Sequence, residues 1–336
     1  MQEYFQLIYN KGGVGMKRIF MTGALGQIGV ELVDHLRQIY GNDKVFATDI
    51  SDKELHKLKK DGPFGILDVR DGNAFSEMVS SFKPDTIFHL AGILSANAEK
   101  APQKAWDINT NGLCNALEIA RNFGTSLFFP SSIAAFGPGS PVDNTPQDTI
   151  QRPSTIYGIS KVTGELLCDY YHLKYGVDTR GVRFPGLISH EALPGGGTTD
   201  YAVHIYYEAI REKKYTSFIG EGTFMDMMYM PDALEATVKL MEADPAGLVH
   251  RNCFNITAMS FAPEHVAEEI RKHIPDFVMA YDVDPERQAI AESWPNSIDA
   301  TCAAQEWGFA PRYDLGAMTS DMLEKIALKF KVGNSV

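Results

Sequence analysis

Lys17-Arg18-Ile19-Phe20-Met21-Thr22-Gly23-Ala24-Leu25-Gly26-Gln27-Ile28-Gly29 runs from a short apolar segment straight into three glycines. The first six residues read as a strand, and Ile28, Leu32, Leu36 and Ile39 then recur at helical spacing. Between them the glycines keep the spacing G-x-x-G-x-x-G. Glycine lets the chain turn tightly and lets backbone N–H groups approach a pyrophosphate, and a helix N-terminus adds free donors and a favourable dipole. Gly23, Leu25, Gly26, Gln27, Ile28 and Gly29 are therefore the candidate cofactor loop.

The next strand, 44–49, ends on Asp49, about twenty residues after the last glycine. A carboxylate there accepts hydrogen bonds from ribose hydroxyls and repels a 2′-phosphate. Ile50-Ser51-Asp52 supplies no arginine to reverse that preference, so NAD is expected rather than NADP. Further strands are expected at 65–67, 86–90, 126–129 and 179–184, with helices at 73–82, 103–123 and 155–175. This alternation predicts an α/β chain: a Rossmann-type doubly wound parallel sheet with a smaller C-terminal substrate-binding portion.

The expected division is a flexible extension at 1–16, a nucleotide-binding domain at 17–184 with return segments near 228–257, and a substrate-binding portion from 185–227 and 258–336. Gly12, Gly13 and Gly15 mimic a phosphate loop but lack a preceding strand. After Pro185 the pattern is irregular; helices are expected at 199–211 and 232–242 and a strand at 251–256.

The formal charge of −12 argues against a general affinity for nucleic acid or anionic membranes. No apolar run approaches the ~18 residues of a membrane span. Cys114, Cys168, Cys253 and Cys302 lack zinc-type spacing, so thiols in a reducing compartment are expected and no catalytic metal.

Tyr157-Gly158-Ile159-Ser160-Lys161 sets a phenol and an ammonium four residues apart on one helix face. A tyrosine titrating near ~10 is a poor base at neutral pH, and a neighbouring cation stabilises its phenolate. Ser132, just beyond an expected strand end, offers a hydroxyl to hold a substrate oxygen. Pair, glycine loop and serine together point to hydride transfer at an alcohol carbon.

These residues resemble the extended short-chain dehydrogenase/reductase family from about Lys17 to the C-terminus. The resemblance implies that Asp68 and Val69 contact the adenine and that Leu90, Ala91 and Gly92 lie beside the ribose. It also implies that Asn109 braces the central sheet, and it adds Phe184 to the cofactor site. Within the family the likeness is greatest to a branch that oxidises L-threonine at C3 to 2-amino-3-oxobutanoate. It rests on 130–137, 193–202, 227–232 and Ser293-Trp294-Pro295. There Tyr157 would take the hydroxyl proton, Lys161 would lower its pKa and hold the ribose, and Ser132 would position the oxygen. Ser95, Ser131, Thr198, Thr199 and Trp294 are the implied substrate contacts.

Two departures stand out: Ser132 where relatives often carry threonine, and Asp226 where a proline is common. The resemblance further implies a homodimer through a four-helix bundle of 103–123 and 155–175. A 2-amino-3-oxobutanoate CoA ligase is the implied downstream partner, in the cytoplasm or, in a eukaryote, the mitochondrial matrix. The rival readings are a nucleotide-sugar epimerase of the same family and a non-catalytic NAD sensor.

Overall fold

The computed structural model describes residues 15–191 and 197–333. Residues 1–14 of the expected extension, and Leu193 to Gly196 of the glycine-rich stretch, lie outside the described residues.

The central sheet has seven strands in the order β10-β6-β5-β4-β1-β2-β3, and every pairing in it is parallel. In chain order the strands are β1 (Ile19–Thr22), β2 (Val45–Asp49), β3 (Phe64–Ile66), β4 (Thr86–His89), β5 (Ser126–Ser132), β6 (Thr179–Phe184) and the edge strand β10 (Phe254–Asn255). Four long helices alternate with them: α1 (Gln27–Tyr40), α2 (Gly72–Phe82), α5 (Gly112–Phe123) and α6 (Ile156–Tyr175). From β1 the chain moves outward through β2 and β3, then crosses back to β4 and builds the other half. The strand order thus reverses between β1 and β4, where parallel sheets open a crevice at their carboxyl ends.

Strand periodicity decides which side chains meet which helices. Ile19, Met21, Val45 and Ala47 pack with Leu32, Val33 and Leu36 of α1 on one face. Phe20, Ile87, Leu127 and Phe129 pack with Phe75, Val79, Leu113 and Leu117 on the other. Both faces are covered, as a parallel sheet requires.

The single helix expected over 103–123 is broken. Short helices α3 (Ser95–Lys100) and α4 (Pro102–Trp106) lead into a π-helical turn at Asp107–Asn111 before α5 begins. The wide turn is held by Asn109, whose carboxamide accepts from Ile93 N at 2.8 Å and donates to Ile93 O at 3.1 Å. Such π turns trade regular hydrogen bonding for the placement of one side chain. Strand β5 runs three residues past its expected end and carries Ser132 as its last residue.

After Pro185 the chain leaves the sheet and returns. β7 (Gly186–Ile188), β9 (Met225–Tyr229) and β11 (Met259–Phe261) form a three-stranded sheet that the sequence pattern did not announce. α7 (Tyr201–Glu212) and β8 (Lys214–Ser217) precede β9, and α8 (Met230–Glu242) comes back to pack Leu234 and Val238 against the α1 face. The expected strand at 251–256 shrinks to β10, which pairs Phe254 with Val182.

The remaining elements are α9 (Pro263–His273), β12 (Val278–Tyr281), α10 (Pro285–Glu292), α11 (Thr301–Trp307) and α12 (Leu315–Gly333). Most of this portion shares a core of its own, with Tyr201, Tyr206, Tyr229, Phe261, Trp294 and Met318 among its buried side chains. No helix among the described residues is long and apolar enough to cross a membrane.

Candidate active site

One cavity of about 230 Å³ opens where β1, β4, β5 and β6 end. Its first wall is the glycine loop: Gly23, Gly26, Gln27, Ile28 and Gly29 all line it. Gly23 has φ +68°, and a Cβ there would sit 2.6 Å from Ala91 N. A Cβ on Gly29 would come within 2.3 Å of Gly23 O, so only glycine lets α1 start this close to the loop. Helix α1 has Gly26 as its N-cap, no capping side chain and no acid in its first turn. Its first N–H groups and its dipole are therefore left for an anionic ligand. This cradle fits the pyrophosphate of a dinucleotide.

Asp49 stands beside the loop rather than in the cavity wall. Its carboxylate accepts from Leu25 N at 2.9 Å and Ile50 N at 2.8 Å, which locks the end of β2 against the glycine turn. Leu25, Ile50, Asp68 and Val69 are likewise outside the lining residues of the cavity. Asp68 is engaged by Arg70 at 2.6 Å, and that bond holds its carboxyl below the usual range. Val69 is buried against Gly112.

The second wall carries the catalytic candidates. Leu90, Ala91, Gly92, Asn109, Ser132, Tyr157, Lys161 and Phe184 all line the cavity. Thr155 caps α6 by accepting from Gly158 N at 3.0 Å, which starts the helix so that its first turn carries Tyr157 into the cavity. Lys161, one turn on, donates to Pro130 O at 2.5 Å and lies 5.3 Å from the centre of the Tyr157 ring. Asn109 also donates to Ser160 Oγ at 3.2 Å, and Ser160 donates to Tyr157 O at 2.7 Å. The π turn thereby steadies the helix that bears the pair.

Burial dominates the electrostatics here. It pushes the Tyr157 phenol up to about 12, against a hydrogen bond from Ser132 that pulls it down. It pushes Lys161 down to about 8, with Cys253 and Glu165 resisting. His89 beneath them is pushed down to about 3, first by burial and then by Lys161, so it is neutral. Its Nδ1 is 3.0 Å from Thr22 Oγ1.

The third wall comes from the returning portion and from the start of α3. Ser95, Thr198, Thr199 and Trp294 are all brought to the cavity, together with Leu187 and Asp200, which sequence reasoning missed. Thr198 is buried, and its hydroxyl has no partner among the described residues. Ser131 also borders the cavity, but its hydroxyl donates to the buried Glu165. Neighbours on a strand point to opposite faces, so Ser132 and Ser131 divide between the cavity and Glu165. Glu165 was missed too, although it continues the spacing Tyr157, Lys161, Glu165 along one helix face.

Residues 19–256 match the NAD dependent epimerase/dehydratase family. An uncharacterized epimerase/dehydratase of Staphylococcus saprophyticus is 60% identical over 316 residues, covering 94% of this chain and 99% of that protein. The solved L-threonine dehydrogenase of Clostridium difficile is 60% identical with a TM-score of 0.93, covering 94% of this chain and 99% of that one. The L-threonine dehydrogenase structure from Phytophthora infestans is 47% identical with a TM-score of 0.90, over 93% and 100% of the two chains. With its glycine cradle, parallel sheet and matched length, this chain belongs to the NAD-dependent epimerase/dehydratase family and uses NAD(H).

Proposed function

We propose that this enzyme oxidises L-threonine at C3, passing hydride to NAD and releasing 2-amino-3-oxobutanoate. The observation that carries the reading is the meeting of Tyr157, Ser132 and Lys161 with the glycine cradle and with Thr198, Thr199, Ser95 and Trp294 in one cavity. The two L-threonine dehydrogenase structures, alike over almost the whole chain, support the same substrate.

Bound NAD supplies the hydride acceptor and a positive ring charge. Tyr157 takes the proton of the C3 hydroxyl while Ser132 holds that oxygen. A phenol at about 12 needs added positive charge to act near neutrality, and Lys161 contributes a buried ammonium one turn away. Asp49 would accept hydrogen bonds from the adenosine ribose hydroxyls with the lone pairs that Leu25 and Ile50 leave it. Asp68 and Val69 would hold the adenine, and Leu90, Ala91 and Gly92, with Phe184, would hold the cofactor on the ribose side of the cavity. The unpartnered hydroxyl of Thr198, with Thr199 and Ser95, suits the carboxylate and amine of a small amino acid. Trp294 closes the far side.

Purified protein with NAD and L-threonine at mildly alkaline pH is expected to form NADH, followed by absorbance. Tyr157→Phe should lower turnover by about 10²–10⁴-fold and leave NAD affinity nearly unchanged. Turnover of a nucleotide sugar without net NADH, in place of threonine oxidation, would convert the assignment to an epimerase.

A further inference from the structure

Cys302 and Glu306 stand four residues apart on α11 and project from one face of it. His250, in the turn before β10, meets them there. One ligand atom from each of the three lies within 4.8 Å of the others. His250 Nδ1 is hydrogen-bonded to Glu306, and its Nε2 faces Asp148 Oδ2 at 3.4 Å. An edge contact with Phe254, centroids 6.3 Å apart, fixes the plane of the ring. Glu306 is fixed as well, accepting from Val249 N at 2.5 Å and His250 N at 3.1 Å.

We propose that His250 Nδ1, Cys302 Sγ and a Glu306 oxygen form a site for a divalent cation of the Zn²⁺ class. One nitrogen, one thiolate and one carboxylate oxygen are the donors that borderline-soft ions prefer, and hard ions such as Mg²⁺ or Ca²⁺ do not. Ligands about 2.0–2.3 Å from a tetrahedral ion are spaced roughly 3.5 Å apart, so small side-chain rotations close the set. Asp148 then accepts from Nε2–H, the outer carboxylate that orients a metal-bound imidazole. Binding releases the thiol proton to solvent and leaves the imidazole proton on Nε2.

Several observations point the same way. All three ligands are partly exposed, which leaves an entry path and a fourth position for water. The cluster shares no residue with the active-site cavity. Asp148 and His250 instead border a second, polar cavity of about 280 Å³. A bound ion would tie α11 to the turn that leads into the sheet's edge strand.

The test is a Co²⁺ titration of chelator-stripped protein, with Zn²⁺ as competitor. One equivalent is expected to bind and give a thiolate-to-cobalt charge-transfer band that Zn²⁺ abolishes. Cys302→Ser should remove the band, and His250→Gln and Asp148→Asn should each weaken binding by about tenfold or more. Cys114→Ser should bind as the parent does. Thermal unfolding without metal checks that each variant folds, and added Zn²⁺ should raise the midpoint of the parent and not of Cys302→Ser. No saturable binding, a band that survives Cys302→Ser, or parent-like affinity in both Cys302→Ser and His250→Gln would each overturn the site.

Discussion

Lys161 Nζ lies 5.3 Å from the centre of the Tyr157 ring and donates to the carbonyl of Pro130. The ammonium is thus anchored to the strand end while it faces the phenol. Burial moves the two groups apart, the phenol up to about 12 and the ammonium down to about 8. Loss of the Lys161 charge above about pH 8 removes a cation that favours phenolate. For the oxidation we expect turnover to rise with pH toward that value and then level or fall. Lys161→Met should lower kcat by about 10²-fold or more and displace the rising limb to higher pH. A pH–rate profile of the variant that overlays the parent's, scaled or not, would count against this role.

Glu165 and Arg183 are both almost fully buried and pair at 2.9 Å. Glu165 also accepts from Ser131 and from Gln151, and Arg183 donates to Gln147 O at 2.8 Å and Asn255 Oδ1 at 3.0 Å. Removing one partner strands the other charge away from water. Glu165→Gln should cost about 3–5 kcal/mol of stability, read from urea unfolding. A loss below about 1 kcal/mol would mean that water reaches Arg183 readily.

Asp226 is fully buried among neutral groups, accepting from Thr257 Oγ1 and from Ile298 N at 2.7 Å. Burial raises it to about 7, and burial likewise raises Glu31 on α1 to about 7. Unfolded, both carboxyls titrate near ~4. Between about pH 4 and 7 the folded chain keeps protons that the unfolded chain has lost. Their contribution is therefore greatest at low pH and declines as pH rises through 7. We expect the unfolding midpoint to fall between pH 5 and 8, and Asp226→Asn to make that fall shallower. Equal slopes in parent and variant would show that Asp226 titrates normally.

Leu166, Tyr170 and Leu173 on α6 are exposed, Leu173 by 83%, and Phe123 at the end of α5 is exposed too. Apolar side chains in such a row are costly to leave in water. We infer that α5 and α6 pair with their copies in a homodimer. Sedimentation should give a dimer for the parent and a monomer for a Leu166→Glu, Leu173→Glu variant. A monomeric parent would refute the assembly.

Where sequence legibility ended follows from the range of the interactions. β1, the glycine turn and α1 were readable because strand periodicity, tight turning and helical spacing are local properties of neighbouring residues. Tyr157 and Lys161 were readable for the same reason, since four residues along a helix bring two side chains to one face. The break at Asp107–Asn111 was not, because the carboxamide of Asn109 holds it against Ile93, sixteen residues away. The small sheet of β7, β9 and β11 was not, because its strands are too short to show a period and pair only with one another.

The sequence by itself determined a nucleotide-binding α/β fold and a phenol–ammonium pair, each written in spacings of a few residues. Only the tertiary structure decided which hydroxyls face the cavity. Alternation along β5 sends Ser132 inward and commits Ser131 to Glu165. Burial, which no single segment encodes, set the protonation of Tyr157, Lys161 and His89. The His250, Cys302 and Glu306 cluster belongs to the same class. Its members lie up to fifty-odd residues apart and meet only because α11 packs beside the edge strand.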